Sequence, residues 1–253
     1  MSNIVLSAGV RSNLLQLQQT SDLITSTQTK LATGKRVNSA LDNPNNYFTA
    51  QGLDNRASDL TNLLDSMSTA INTIQAANNG ISAITKLVQS AQSLASQAQQ
   101  TSDTTVRASL ATQFDSIRTQ IDKLAGDSGF NGINLLNGDN LTVTMNETAT
   151  STVTVTGVTD TSNGGLSING STNNWAAASD ITAASTTLTA ALTTLRSQAQ
   201  TLSSSLSTVQ IRQDFTKATI NTLQAGSDAL TLADSNQEGA NLLALQTRQQ
   251  LST

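Results

Sequence analysis

The sequence contains no cysteine and no histidine in its 253 residues. Disulfides and thiolate chemistry are thereby excluded, as are the usual imidazole metal ligand and the side chain that most often titrates near neutral pH. Aromatic residues make up 2% and charged residues 12%, where a globular domain carries about 25% charged residues. Ser, Thr, Asn, Gln and Ala fill the difference. So few bulky side chains do not fill a thick core, but a narrow seam of Leu, Ile, Val and Ala holds a thin helical bundle. There is one proline, Pro44. A net charge of -4 with a pI near 4.6 weighs against nucleic acid and against an anionic membrane as partners. The first apolar run, Ile4-Val5-Leu6, is too short for a signal-peptide core and no basic residue precedes it. No segment is long and apolar enough for a transmembrane helix. Export, if it occurs, is expected to avoid the general secretory route.

What is present is helical periodicity. Val10, Leu14, Leu17, Ser21, Ile24, Gln28 and Leu31 follow one another at alternating steps of four and three. Two of these seven positions are polar, so this helix needs a partner to be stable. Gly34 supplies a stop. A stronger run passes through Leu53, Ala57, Leu60, Leu64, Met67, Ile71, Ile74, Asn78, Ile81, Thr85, Val88, Gln92 and Ala95. Ten of these 13 positions are apolar, as in a sustained coiled-coil seam, with Asn78 placed to fix register at some cost in stability. One helix over residues 46–99 would span roughly 80 Å. A further helix is expected from Val106 to Leu124, with Leu110, Phe114, Ile117, Ile121 and Leu124 on one face.

Residues 126–170 hold eight of the 14 glycines, so helix must end there. Asn131-Gly132, Asn137-Gly138, Asn163-Gly164 and Asn169-Gly170 are turn signals. Leu141, Val143 and Met145, then Val153 and Val155, alternate with polar residues as short hairpin strands do. Helical rhythm returns near Trp175. The seam from Leu188 through Leu192, Leu195, Ala199, Leu202, Leu206, Val209, Gln213, Thr216, Ile220, Leu223, Ser227 and Leu230 again has ten apolar positions of 13. It matches the 53–95 seam in length, so the two helices are expected to pack antiparallel. A last amphipathic segment from Asn236 carries Leu242, Leu243 and Leu245. The predicted fold is mainly α: a long antiparallel helical bundle or coiled-coil rod with a small β-hairpin region. The two weak terminal seams lie side by side and are expected to order on assembly.

The stretch "LATGKRVNSALDNPNNYFTA" (Leu31–Ala50) resembles the run L-x-[ST]-G-x-[RK]-[IV]-N-S-A of bacterial flagellins. "ANNGISAI" (Ala77–Ile84) is similar to their A-N-D-G-I-S, and "GFNGINLLNG" (Gly129–Gly138) to their Q-F-N-G-x-x-L-L. "LADSNQEGANLLALQTRQQL" (Leu232–Leu251) resembles the start of their C-terminal helix. The matches fall in order along nearly the whole chain and look most like the short alphaproteobacterial kind. The resemblance implies an inner-tube helix over 1–33, a spoke linker over 34–45, and rod-domain helices over 46–128. It also implies a hairpin region over 129–174, a returning rod helix over 175–234, and the start of a C-terminal inner-tube helix over 235–253. No large outer domain is present, and flagellins normally continue several turns past the position of Thr253.

By that resemblance the chain is a structural subunit of the flagellar filament, exported without a cleaved signal peptide and located outside the cell. It would self-assemble into a homopolymer for swimming. Its other partners would be hook-junction and filament-cap proteins, an export chaperone and the type III export apparatus. Inner-tube contacts would come from Val10, Leu14, Leu17, Ile24, Leu31, Leu242, Leu243 and Leu245. At the spoke, Lys35, Arg36 and Asn38 would face neighbouring subunits, Pro44 would start the next helix, and Tyr47 and Phe48 would be buried anchors. A hook–filament junction protein shares the T-G-K-R-V-N run but should not form long homopolymers. A flagellin-like surface adhesin would need an aromatic groove, and the chain has one tryptophan and one tyrosine.

Catalysis, a cofactor or a metal site is not expected. Gly126-Asp127-Ser128-Gly129 spells the run around a protease serine, but the mechanism needs a histidine base; the run is expected to be a helix-ending turn. Asp54, Asp59 and Asp65 share one helix with Arg56 and many amides, which suits a solvated face. The Thr/Ser-rich stretch Thr148–Thr161 is placed by the resemblance as a surface for O-glycosylation. The stretch Gln89–Gln97 matches the flagellin run Q-R-V-R-E-L-A-x-Q that the flagellin-sensing Toll-like receptor engages. Gln89, Leu94, Ala95 and Gln97 remain, while both arginines and the glutamate, which supply charge-assisted bonds, are replaced. The chain is therefore predicted to activate that receptor weakly or not at all; strong activation in a cell reporter assay would contradict this.

Overall fold

The computed structural model describes residues 8–251. The chain forms two compact units, one of Met1–Asp59 with Ala218–Thr253, the other of Leu60–Lys217. Five helices carry most of the residues: α1 (Ala8–Thr33), α2 (Pro44–Gln100), α3 (Thr104–Asp127), α4 (Ala178–Thr231) and α5 (Ser235–Leu251). Strands β1 (Leu141–Thr144) and β2 (Thr152–Val155) lie between α3 and α4, and a 3-10 turn at Asn173–Trp175 leads into α4. The expected mainly α architecture with one small hairpin is the one observed.

The helix ends follow from local chemistry. Gly34 takes a left-handed φ of +67° just after α1, a conformation that costs glycine least. Pro44 opens α2, where its missing N–H is harmless. Asp103 caps α3, its Oδ1 accepting from the Thr105 nitrogen at 2.8 Å. Arg107 reaches back from α3, and its Nε donates to the carbonyls of Ala98 and Thr101 at 3.2 and 2.8 Å. Those are carbonyls of the last turn of α2 and the residue after it, which a helix leaves without partners.

In the unit Leu60–Lys217, the core runs along α2 in two rows. Met67, Ile74, Ile81, Val88 and Ala95 form the expected seam; Ala70, Ala77, Ile84, Ala91 and Ala98 form a second, equally buried row. Both rows are covered because the same apolar cluster takes in α3, the hairpin region and α4. Asn78 is consequently not the core position the periodicity assigned: Ala77 is fully buried and Asn78 only partly so. Phe114 and Trp175 pack at a centroid distance of 5.0 Å, and both are fully buried. On α4, Leu188, Leu192, Leu195, Leu202 and Val209 are buried as the 4-3 pattern predicts, and the Gln213 amide donates to Ser68 Oγ at 2.9 Å.

Gly80, in the motif "ANNGISAI", has a packing reason. A Cβ there would collide with Ser128 Oγ and with Leu136, so glycine lets the end of α3 and the loop beyond it settle against α2. Ser128 ends α3, its hydroxyl donating to the Leu124 carbonyl at 2.6 Å, as expected for a helix-ending turn. Asn131 (φ 49°) and Gly132 (φ 81°) make a two-residue left-handed turn bridged by Phe130 and Ile133. In the hairpin Leu141 pairs with Val155 and Val143 with Val153. Leu141, Val143 and Val155 are buried, while Thr142, Thr152 and Thr154 face solvent.

One group in this unit works against the fold. Asp160 is fully buried, and neither carboxyl oxygen has a well-formed hydrogen bond. Burial raises its pKa from 3.8 to about 6, and the neighbouring amide of Gln198 on α4 pulls it only slightly back. The folded state therefore holds this proton more tightly than the unfolded state. The stability this lends is fully present below about pH 4 and lost as pH rises through 6, with at most about 3 kcal/mol at stake. Asp160→Asn is predicted to raise Tm by about 4 °C or more at pH 7.5 and to leave it nearly unchanged at pH 4.5. Calorimetry at the two pH values checks this, and an equal drop at both would contradict it.

Candidate functional site

Two breaks in the helical pattern meet in the unit Met1–Asp59 with Ala218–Thr253. Residues 34–43 separate α1 from α2, and residues 232–234 separate α4 from α5. Lys35 and Leu232 form an antiparallel backbone bridge. Around it, the Arg36 nitrogen donates to the Thr231 carbonyl at 2.7 Å and the Ala233 nitrogen to the Gly34 carbonyl at 2.9 Å. The Arg36 guanidinium donates to the Ala229 carbonyl at 3.2 Å, and the Asn46 amide reaches the Leu230 carbonyl at 3.5 Å. The last carbonyls of α4 thus find partners in the break that follows α1 and in the first turn of α2.

The loop itself is closed by Asp42. Its Oδ2 accepts from the Asn38 and Ser39 nitrogens, both at 2.9 Å, and from Ser39 Oγ at 3.2 Å. These backbone bonds, foremost that from Asn38, hold the Asp42 carboxyl below its ordinary pKa. The Asn38 side chain donates to the Lys35 carbonyl at 2.9 Å. Arg36 and Asn38 are therefore engaged within the chain, which narrows their expected role as donors toward other subunits; Lys35 remains exposed. Tyr47 and Phe48 meet edge to face at 5.4 Å. Tyr47 is half-buried and lines a cavity of about 270 Å³ with Val37, Asn38 and Thr231. Phe48 is 63% exposed. No described residue provides its expected burial: one residue past Tyr47, it points about 100° away around α2.

Helices α1 and α5 pack on each other. The covered stripe of α1 is Leu17, Thr20, Ile24, Thr27 and Leu31. Leu17, Ile24 and Leu31 are the expected positions, but Thr20 and Thr27 take the places assigned to Ser21 and Gln28. Thr20 is buried because its hydroxyl donates to the Gln16 carbonyl at 2.8 Å, within its own helix. On α5, Leu242 and Leu245 are half-buried and Leu243 is 68% exposed. Leu243 falls off the stripe because it is one residue, about 100° of helical turn, from Leu242. The ion pair of Lys30 with Glu238, at 3.7 Å, sets the antiparallel register. By that register the end of α5 lies opposite Leu17, so Val10 and Leu14, each 49% exposed, lie beyond its last described residue. Leu15, Leu23 and Leu251 are also exposed. The periodicity did not single out Leu15 and Leu23, since neither falls on its 4-3 track.

The remaining sequence motifs are placed as follows. Within Gln89–Gln97, Leu94 is half-buried, Ala95 is buried, and Gln89 and Gln97 face solvent. Asp54, Asp59 and Asp65 are exposed.

Residues 7–141 match the family described as the bacterial flagellin N-terminal helical region. Among curated proteins none matches. In structure the chain is similar to the flagellin of Bacillus cereus, whose crystal structure aligns with a TM-score of 0.51 at 22% identity. That alignment covers 61% of this chain and 88% of the other. At this identity the likeness concerns the fold.

Proposed function

Because the chain belongs to the bacterial flagellin family, we propose that it is a structural subunit that self-assembles into the extracellular flagellar filament used for swimming. The observation that carries this is the incomplete cover on the terminal helices. Pairing of α1 with α5 leaves Leu23 and Leu243 exposed, off the stripe the two helices share. Two thin helices with large apolar residues outside their shared stripe gain most when further copies cover them. In the break between α1 and α2 and at the start of α2, Lys35 and Phe48 supply a further exposed charge and an exposed ring. Filament-cap and hook-junction proteins would contact the same ends, and an export chaperone with the type III apparatus would handle the chain before it folds.

A structural role also suits the chemistry. Histidine and cysteine are absent, and the flagellin family is a structural family rather than an enzyme family. The adhesin alternative loses its main aromatic, since Trp175 is fully buried against Phe114.

The test is seeded polymerisation scored by negative-stain electron microscopy, with Leu23→Ser/Leu243→Ser beside the parent chain. Each exposed leucine that becomes buried contributes about 1.5–3 kcal/mol. The parent is expected to grow long filaments, and the variant to need a concentration higher by about tenfold or more while its monomer Tm is unchanged. Parent chains that form only short caps on the seeds would favour a hook–filament junction protein, and equal growth by both chains would overturn the assembly surface.

A further inference from the structure

The four Asn-Gly pairs between α3 and α4 differ sharply in their surroundings. Glycine leaves its own nitrogen sterically open to attack the preceding asparagine, but that nitrogen must also be unengaged. The Gly138 nitrogen donates to the Val158 carbonyl at 3.0 Å and the Gly164 nitrogen to the Thr161 carbonyl at 3.1 Å. The Asn163 carboxamide oxygen is held as well, accepting from Arg118 Nη2 at 2.7 Å. Asn131 is fixed in the left-handed region, φ 49°, inside a turn closed by reciprocal bonds between Phe130 and Ile133 of 2.9 and 3.1 Å.

Asn169-Gly170 carries none of these restraints. Both residues are exposed, lie outside regular structure and have no left-handed φ, and the Gly170 nitrogen has no hydrogen-bond acceptor among the described residues. Asn169, Gly170, Thr172 and Asp180 line one small cavity of about 80 Å³. Asp180 Oδ2 is shielded from solvent and accepts no hydrogen bond. Arg118, anchored by its Nε on the Ile168 carbonyl at 2.8 Å, and Asp115 both lie close to Gly170. The chain on either side is held, by the Ile168 nitrogen on the Ser162 carbonyl at 2.7 Å and by the Ser171 nitrogen on Asp115 Oδ1 at 3.0 Å.

We propose that Asn169 is a self-modification site, converting through a succinimide to aspartate and isoaspartate with Asp180 as the assisting base. The Gly170 nitrogen attacks Asn169 Cγ and forms the new C–N bond, its proton passing to the Asp180 carboxylate. The Asn169 Cγ–Nδ2 bond then breaks, and ammonia leaves with that proton. Water adds to either carbonyl of the ring and opens it, giving aspartate or isoaspartate. No oxidant, metal or cofactor takes part. The product carries one more negative charge, beside the Arg118 guanidinium, and the isoaspartate form lengthens the backbone by one carbon.

The full chain, incubated at pH 7.4 and 37 °C, is digested at mildly acidic pH and mapped by mass spectrometry, with isoaspartate located by electron-transfer fragmentation. Asn169 is expected to convert at least fivefold faster than Asn137 and Asn163, and faster than Asn131. In 6 M guanidinium the four rates should converge. Asp180→Asn is expected to slow Asn169 at least threefold and leave the other three sites unchanged. Asn169 converting no faster than Asn137 and Asn163 in the folded parent chain would overturn the site. An unchanged Asn169 rate in the Asp180→Asn protein would overturn the role of Asp180. The ranking among the four sites uses the parent chain alone, so it stands whether or not the variant folds.

Discussion

The backbone bridge between Lys35 and Leu232 organises the first unit. A glycine stop after α1 and a short break before α5 would each leave helix-end carbonyls and amides exposed. Laid against each other, they satisfy one another: Arg36 and Ala233 supply nitrogens, Thr231 and Gly34 supply carbonyls. The bridge also brings the end of α1 beside the start of α5, in the same antiparallel register that the Lys30–Glu238 ion pair keeps. The answer to why a helical chain breaks at "TGKRVNSALDNP" is that two breaks are needed for each to be bonded, and Asp42 closes the loop that brings them together.

That arrangement leaves the terminal helices poorly covered. Their shared stripe includes two threonines and only a few leucines and isoleucines, whereas the core of the second unit uses two full rows of α2. Burial per helical turn is therefore lower in the α1–α5 pair, and no described residue covers the apolar residues outside its stripe. On the reading proposed above, a subunit built this way would gain order from contact with other copies. In the second unit small residues do the corresponding work: alanines at 70, 77, 91 and 98 and Gly80 allow close approach without large side chains.

Much of this was legible in the sequence. The 4-3 patterns placed α2, α3 and α4 within a few residues, and the alternation at Leu141–Met145 and Val153–Val155 gave the hairpin and its buried face. What periodicity could not show was which polar residues belong inside. Thr20 is as buried as a leucine, its hydroxyl satisfied within its own helix, whereas a strict 4-3 track through the leucines and isoleucines lands on Ser21 and Gln28 instead. Asn78 was taken for a core position because a single seam was assumed, and a helix covered on two sides has two. Lys35, Arg36 and Asn38 lie in the break that follows α1, and Tyr47 and Phe48 at the start of α2. That Arg36 spends its donors on α4 depends on a contact 193 residues away, which no local pattern encodes. Asp160 and Gln198, and the cavity that joins Asn169 to Asp180, are likewise products of tertiary packing.

The central claim is that α1 and α5 are completed by other copies, whereas the unit Leu60–Lys217 is complete in one chain. Amide hydrogen exchange followed by mass spectrometry, on the free chain and on assembled filaments, tests it most directly. The account predicts fast exchange over α1 and α5 in the free chain, strong protection of both after assembly, and slow exchange over Met67–Ala98 in either state. Equal and strong protection of α1 and α5 in the free chain would contradict it.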